Sequence, residues 1–194
     1  MLDIGNYLTL SDIFDITEKY DINNILNHEK KVAFNSLELF DAISYKYHLG
    51  SEHRSLLYCS SLLHDIGYFI SKEQHQIHTS NLILKEPVFN VLPQKLRIIL
   101  ALISANHGST FKGSLESFTE YERSEILCLT ALLRVADALA HPHKQQINIK
   151  EIIMQKEYLL LYIKSIDTEA TNKKVNKKST LFTDMFNLKI IICS

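Results

Sequence analysis

Ala33, Leu37, Phe40, Ile43 and Tyr47 recur at intervals of three and four within HEKKVAFNSLELFDAISYKY, the spacing of one buried helix face. Similar spacing fills most of the first three-quarters of the chain, because only five glycines and three prolines interrupt its 194 residues. A chain so short of breakers folds first as helices. The first is expected over Asp12 to Tyr20, with Ser11 as N-cap and Asp12 and Asp15 near the positive end of its dipole. A second begins after Asp21 and ends at Gly50. A third runs from Ser51 to Ile66 and stops at Gly67, and a shorter one covers His75 to Lys85. Pro93 opens a fifth, whose Leu96, Leu100 and Ile103 share a face before Gly108 closes it. After a polar loop from Ser109 to Ser117 comes the longest apolar helix, EYERSEILCLTALLRVADALAH, reaching Pro142.

From Ile147 the character changes. INIKEIIM and EYLLLYIKS are rich in β-branched and aromatic residues and are joined by QK, which reads as a hairpin. DTEATNKKVNKKST is a loop or a helix start, LFTDMF a short helix and LKIIIC a final strand. The expected fold is mainly α: a helical bundle over residues 1–145, then a small α+β subdomain over 146–194 packed on it. That subdomain is expected to hold a three-stranded antiparallel sheet and one helix.

The nine histidines divide into two groups on these helices. His48 and His53 flank the Gly50 turn, and His141 and His143 flank Pro142, which reads as four solvated turn residues. The others continue buried stripes. His28 lies one turn before Val32, His64 follows Leu57 and Ser60, His107 lies one turn beyond Ile103, and His75 and His78 share a face. Asp137 falls one turn after Leu133 in the most apolar helix. LLHDIGYFI sets His64 and Asp65 side by side in the most apolar neighbourhood, and an unpaired buried carboxylate costs several kcal/mol. Singly, each has a structural explanation: a core histidine, a helix cap, or a pairing of Asp137 with Arg134 one turn earlier. Together, imidazoles and carboxylates aimed inward from separate helices make a ligand set for a divalent ion. No thiolate joins it, which argues against a closed structural zinc site.

The order His28, His64-Asp65, His78, His107, Asp137 resembles the HD superfamily of metal-dependent phosphohydrolases. HEKKVAFNSLELFDAI, SLLHDIGYFISKEQHQIHTSNLIL and LTALLRVADALAH are more closely similar to the C-terminal HD domain of the exopolyphosphatase and guanosine-pentaphosphate phosphatase family, from about Leu10 onward. That family hydrolyses polyphosphate with an actin-like N-terminal half that needs glycine-rich phosphate loops. Gly5, Gly50, Gly67, Gly108 and Gly113 form none, so the resemblance is to the HD half standing alone.

The resemblance implies one or two divalent ions (Mn, Fe, Co, Ni, Zn or Mg), with Asp65 shared between metals. His28, His64 and Asp137 would hold one position, and His107 with His78, or with His75 three residues before it, a second. Asp65 would be central to catalysis, and Arg134 would contact phosphate or support Asp137. Such ions lower the pKa of water from 15.7 towards about 7 and polarise phosphoryl oxygens. The chain differs from many catalytic members in Tyr68, where they carry a lysine. It also differs from the exopolyphosphatase branch in Gly108, where an arginine is frequent, so one phosphate-binding charge is missing unless Lys72 or Lys112 substitutes. A phosphohydrolase acting on a nucleotide or small phosphoester is implied, or else a non-catalytic module binding a nucleotide, such as a guanosine alarmone, or a partner protein.

Charge and cysteines narrow the setting. A formal net charge of −1 creates no field that would draw the protein onto a nucleic acid polymer or an anionic membrane. Cys59, Cys128 and Cys193 are far apart and form no CxxC pair, as suits a reducing cytoplasm. MLDIGNYLTLSDIFD carries acids where a signal peptide carries bases, and no run approaches about 18 consecutive apolar residues. A cytoplasmic protein with a phosphorylated small-molecule partner is expected, and a homodimer is left open.

Overall fold

The computed structural model describes residues 2–21, 26–140, 147–164 and 167–193. The readings made for the start of the second helix and for His141, Pro142 and His143 lie outside the described residues. The body comprises α1 (Leu10–Lys19), α2 (Leu26–Ile43), α3 (Ser51–Leu63), α4 (His75–Lys85), α5 (Gln94–Ala105) and α6 (Glu120–Ala140). Helix α1 begins earlier than Asp12 because Thr9, not Ser11, caps it. The Thr9 hydroxyl accepts from the Asp12 amide at 3.2 Å, and the Asp12 carboxylate accepts from the Thr9 amide at 2.8 Å, a reciprocal box. Helix α2 stops at Ile43, short of Gly50, and His48 turns the chain with a φ of 54°.

Helix α6 is the axis of the core. From Ile126 to Leu139 its side chains are almost all buried, and α2, α3 and α5 pack around it. A helix surrounded on all sides is apolar all round, so Thr130, Arg134 and Asp137 are the residues that need a separate reason.

The C-terminal part contains β1 (Asn148–Gln155), β2 (Tyr158–Lys164), α7 (Thr168–Lys178), α8 (Thr180–Phe186) and β3 (Lys189–Cys193). Strands β1 and β2 form the expected hairpin, with Ile152 opposite Leu161. Strand β3 lies beside β2 with Leu159 opposite Ile190 and runs parallel to it. The sheet is therefore mixed, which corrects the antiparallel expectation, and two helices replace the expected one. The reason is the polar run: Asp167 caps it by accepting from the Ala170 amide at 2.9 Å. Thr171 and Val175 then face inward one turn apart. The α7–α8 pair is thus a long crossover, which a parallel neighbour requires.

Helices α7 and α8 both pack on α6. The Tyr47 hydroxyl donates to the Phe186 carbonyl, and the two rings meet edge to face with centroids 4.8 Å apart. The appendage is thereby fastened to the helical body.

Candidate metal centre

Six side chains from five helices and one turn meet at a buried point. His28 stands in the first turn of α2, His64 caps the end of α3, and Asp65 follows in the turn leading to Ile66–Phe69. His75 is the first residue of α4, His107 lies just past α5, and Asp137 is in the last turn of α6. Gly67 lets α4 come this close. A Cβ on it would stand 2.0 Å from the His75 carbonyl and 2.5 Å from the Thr79 amide. The Gly67 amide donates to the Thr79 hydroxyl at 3.1 Å, and that hydroxyl donates to the His64 carbonyl at 3.0 Å. The glycine of HDIG thus sets the first turn of α4 against the His64–Asp65 pair.

Asp65 is the hub. Its Oδ2 lies 3.3 Å from His64 Nε2 and 3.8 Å from His28 Nε2, and its Oδ1 lies 3.3 Å from His107 Nε2 and 3.7 Å from His75 Nε2. His28 Nε2 is also 3.4 Å from Asp137 Oδ1. Two overlapping groups result, His28–His64–Asp65 and Asp65–His75–His107, each with ligand atoms all within 4.8 Å of one another.

Three of the rings have their tautomer fixed by the backbone. Nδ1 of His64, His75 and His107 lies 2.7, 2.7 and 2.9 Å from the carbonyls of Ser61, Lys72 and Ser104. A carbonyl only accepts, so each Nδ1 carries the hydrogen and each neutral ring turns a bare Nε2 inward. This is the usual support of a metal-binding imidazole. Among the described residues, His64 Nε2 and Asp65 Oδ1 are buried without a hydrogen-bond partner. Acceptors facing acceptors in a buried site need a cation, so the donor set fits a divalent ion with nitrogen and oxygen ligands.

The charges agree. Burial disfavours a charge on His64, but the Asp65 carboxylate outweighs it and pushes the ring up to about 9. Burial, with His64 as a like-charged neighbour, keeps His107 down at about 4. Burial alone would raise Asp65 and Asp137. The surrounding imidazoles hold Asp65 low, and His28 and Lys178 hold Asp137 well below the usual carboxylate range.

Several side chains lie elsewhere than the sequence suggested. His78 is in neither ligand group; His75, one turn earlier on α4, is. Arg134 donates to the carbonyls of Asn106 and Ser109 at 2.7 and 3.3 Å, tying α6 to the end of α5. His53 is not a solvated turn residue: it is buried, with Nε2 2.6 Å from Glu125 Oε1 and Nδ1 accepting from the Gly50 amide. Tyr68 stacks on His75 with centroids 4.2 Å apart.

Two residues of this neighbourhood were missed. Glu29 is buried next to His28, and burial pushes its carboxyl up to about 8. Its sequence signal was adjacency to an inward histidine. Lys178 reaches Asp137 Oδ2 from α7. Its signal was a position three after the apolar Val175, on one helix face.

A mainly helical fold gathering imidazoles and carboxylates at a buried point defines a candidate metal-binding module. The chain matches the family model described as Ppx/GppA phosphatase, domain III, over residues 10–184, and it belongs to that family. No curated protein matches it. Among the described residues no helix is long and apolar enough to cross a membrane.

Proposed function

We propose that the protein is an HD-type, divalent-metal-dependent phosphohydrolase acting on a nucleotide or small phosphoester. The observation that carries this reading is the two ligand groups sharing Asp65, with three imidazoles held in the metal-binding tautomer. His28, His64, Asp65 and Asp137 would hold one ion, and Asp65, His75 and His107 a second. A bound divalent ion would supply a water of lowered pKa and neutralise charge on the phosphoryl oxygens. The chain's own residues do the remainder. The backbone carbonyls of Ser61, Lys72 and Ser104 orient the rings, α6 and α3 exclude bulk water, and Asp65 keeps its charge because imidazoles surround it. Membership of a phosphatase family supports a phosphorylated substrate.

A second reading has its own observation. Tyr68 lies face-on against His75 where the HD resemblance implies a phosphate-contacting lysine in catalytic members. This favours a non-catalytic module that binds a nucleotide or alarmone. Elemental analysis of the purified protein, followed by a nucleotide panel with and without Mn²⁺, tests both. Turnover that Asp65→Ala abolishes supports the enzyme. Tight binding without turnover supports the module, and a protein that takes up no metal contradicts the first reading.

A further inference from the structure

The cluster carries two carboxylates held ionised, and one of them has an ammonium on it. Asp137 divides its oxygens: Oδ1 faces His28 Nε2 at 3.4 Å, and Oδ2 accepts from Lys178 Nζ. Lys178 ends α7, whose Lys173, Lys174 and Lys177 are exposed while Val175 is buried. Of the four lysines it alone shares the Val175 side of the helix, one turn on, and its chain runs inward to α6.

Exposure separates the members of the cluster. The side chains of His28, His64, Asp65, His107 and Asp137 are 8% exposed or less, against 17% for His75 and 22% for Lys178. His75 and Lys178 are thus the members of the cluster that solvent reaches most. Lys72 and Lys112 are exposed and lie in no ion pair with the cluster, although Lys72 supplies a carbonyl to His75. A lysine ammonium on a flexible four-carbon stem can keep one hydrogen on a carboxylate and turn the other two to an arriving anion.

We propose that Lys178, delivered by the C-terminal appendage, is the phosphate-binding cation of this site. The inference rests on the reading of the cluster as a metal-dependent phosphate site. It adds that the α+β appendage is part of the binding machinery.

The full chain and its K178M and K178R variants decide it. Calorimetry measures Mn²⁺ binding, and inorganic phosphate is then titrated into the Mn²⁺-loaded and the metal-free proteins. K178M is expected to hold Mn²⁺ as tightly as the parent or more so, because a competing cation has gone. Its phosphate affinity should fall about tenfold or more, the scale of one charge-assisted hydrogen bond. K178R should stay within about threefold. A K178M affinity for phosphate within twofold of the parent overturns the proposal, as does a loss of Mn²⁺ binding in K178M, which would make Lys178 a support of the metal ligands. If the parent binds no Mn²⁺, the metal reading fails separately. The metal-free titration then still decides: weaker phosphate binding by K178M supports Lys178, and a parent that binds no phosphate overturns it.

Discussion

His75 Nε2 and His107 Nε2 stand 3.0 Å apart, and each ring spends its Nδ1 hydrogen on a backbone carbonyl. Two lone pairs at that distance, both beside Asp65 Oδ1, repel unless a positive charge lies between them. The bundle holds them there because α4 and α5 are packed together and Gly67 removes the obstacle to that packing.

Metal should therefore stabilise the fold. At about 100 times its Kd a divalent ion adds about 2.7 kcal/mol. For a protein of this size that is a rise in Tm of about 5–10 °C. Melting curves with Mn²⁺ and with EDTA measure it. A Tm indifferent to both would mean that the histidines serve only the core.

The two histidines of α4 should behave differently. His75→Ala is expected to weaken metal binding by more than about 100-fold, whereas His78→Ala should leave it within about twofold. Asp65→Asn, which keeps the shape and removes the shared charge, should be at least as damaging as His75→Ala. Equal effects at positions 75 and 78 would contradict the geometry.

Gly67→Ala should fail for steric reasons. The new methyl would meet main-chain atoms of α4 at 2.0 and 2.5 Å, and backbone cannot swing aside as a side chain can. A loss of about 1–3 kcal/mol or more is expected, together with weaker metal binding as His75 is pushed off Asp65. Gly108→Ala is the control, because its Cβ would meet the flexible end of Gln76. A Gly67→Ala protein as stable as Gly108→Ala would contradict the account.

The metal-free protein should lose stability as pH rises. His64 is raised from 6.5 to about 9 by Asp65, so the fold holds that proton more tightly than the unfolded chain does. Its contribution is complete below about pH 6.5 and disappears as pH climbs through 9. Glu29, raised from 4.5 to about 8 by burial, acts in the same direction between those values. Asp65 and Asp137 are lowered, so their contribution exists above about pH 4 and is lost in acid. Melts in EDTA should thus show Tm falling from pH 6.5 to 9, while metal affinity rises over that interval as His64 gives up its proton. A metal-free Tm that rises from pH 6.5 to 9 would refute this.

Helical spacing alone points to most of the cluster. His28, His107 and Asp137 each continue an apolar stripe by one turn, and that fixes a direction along a known helix. The same spacing could not choose between His75 and His78, which share a face; the start of α4 at His75 and its approach to Gly67 decide which ring reaches Asp65. Lys178 was hidden by its neighbours, because a lysine-rich run reads as solvated and its partner lies 41 residues away. The His53–Glu125 contact spans 72 residues and leaves no local trace. The β-branched run in LKIIIC reads as a strand, but such composition carries no information on whether that strand lies parallel or antiparallel to its neighbour.

Strand β3 closes the crossover that holds α7, and α7 carries Lys178, while His28 belongs to the first long helix of the body. The candidate site is thus stitched from distant parts of the described chain. His28 and Asp137 stand farther apart along the chain than Asp137 and Lys178 do, so bringing the imidazoles together, not adding the lysine, carries the larger loop-closure cost. A chain cut ahead of Lys189 would keep every imidazole of the cluster and lose the strand that closes the crossover carrying Lys178.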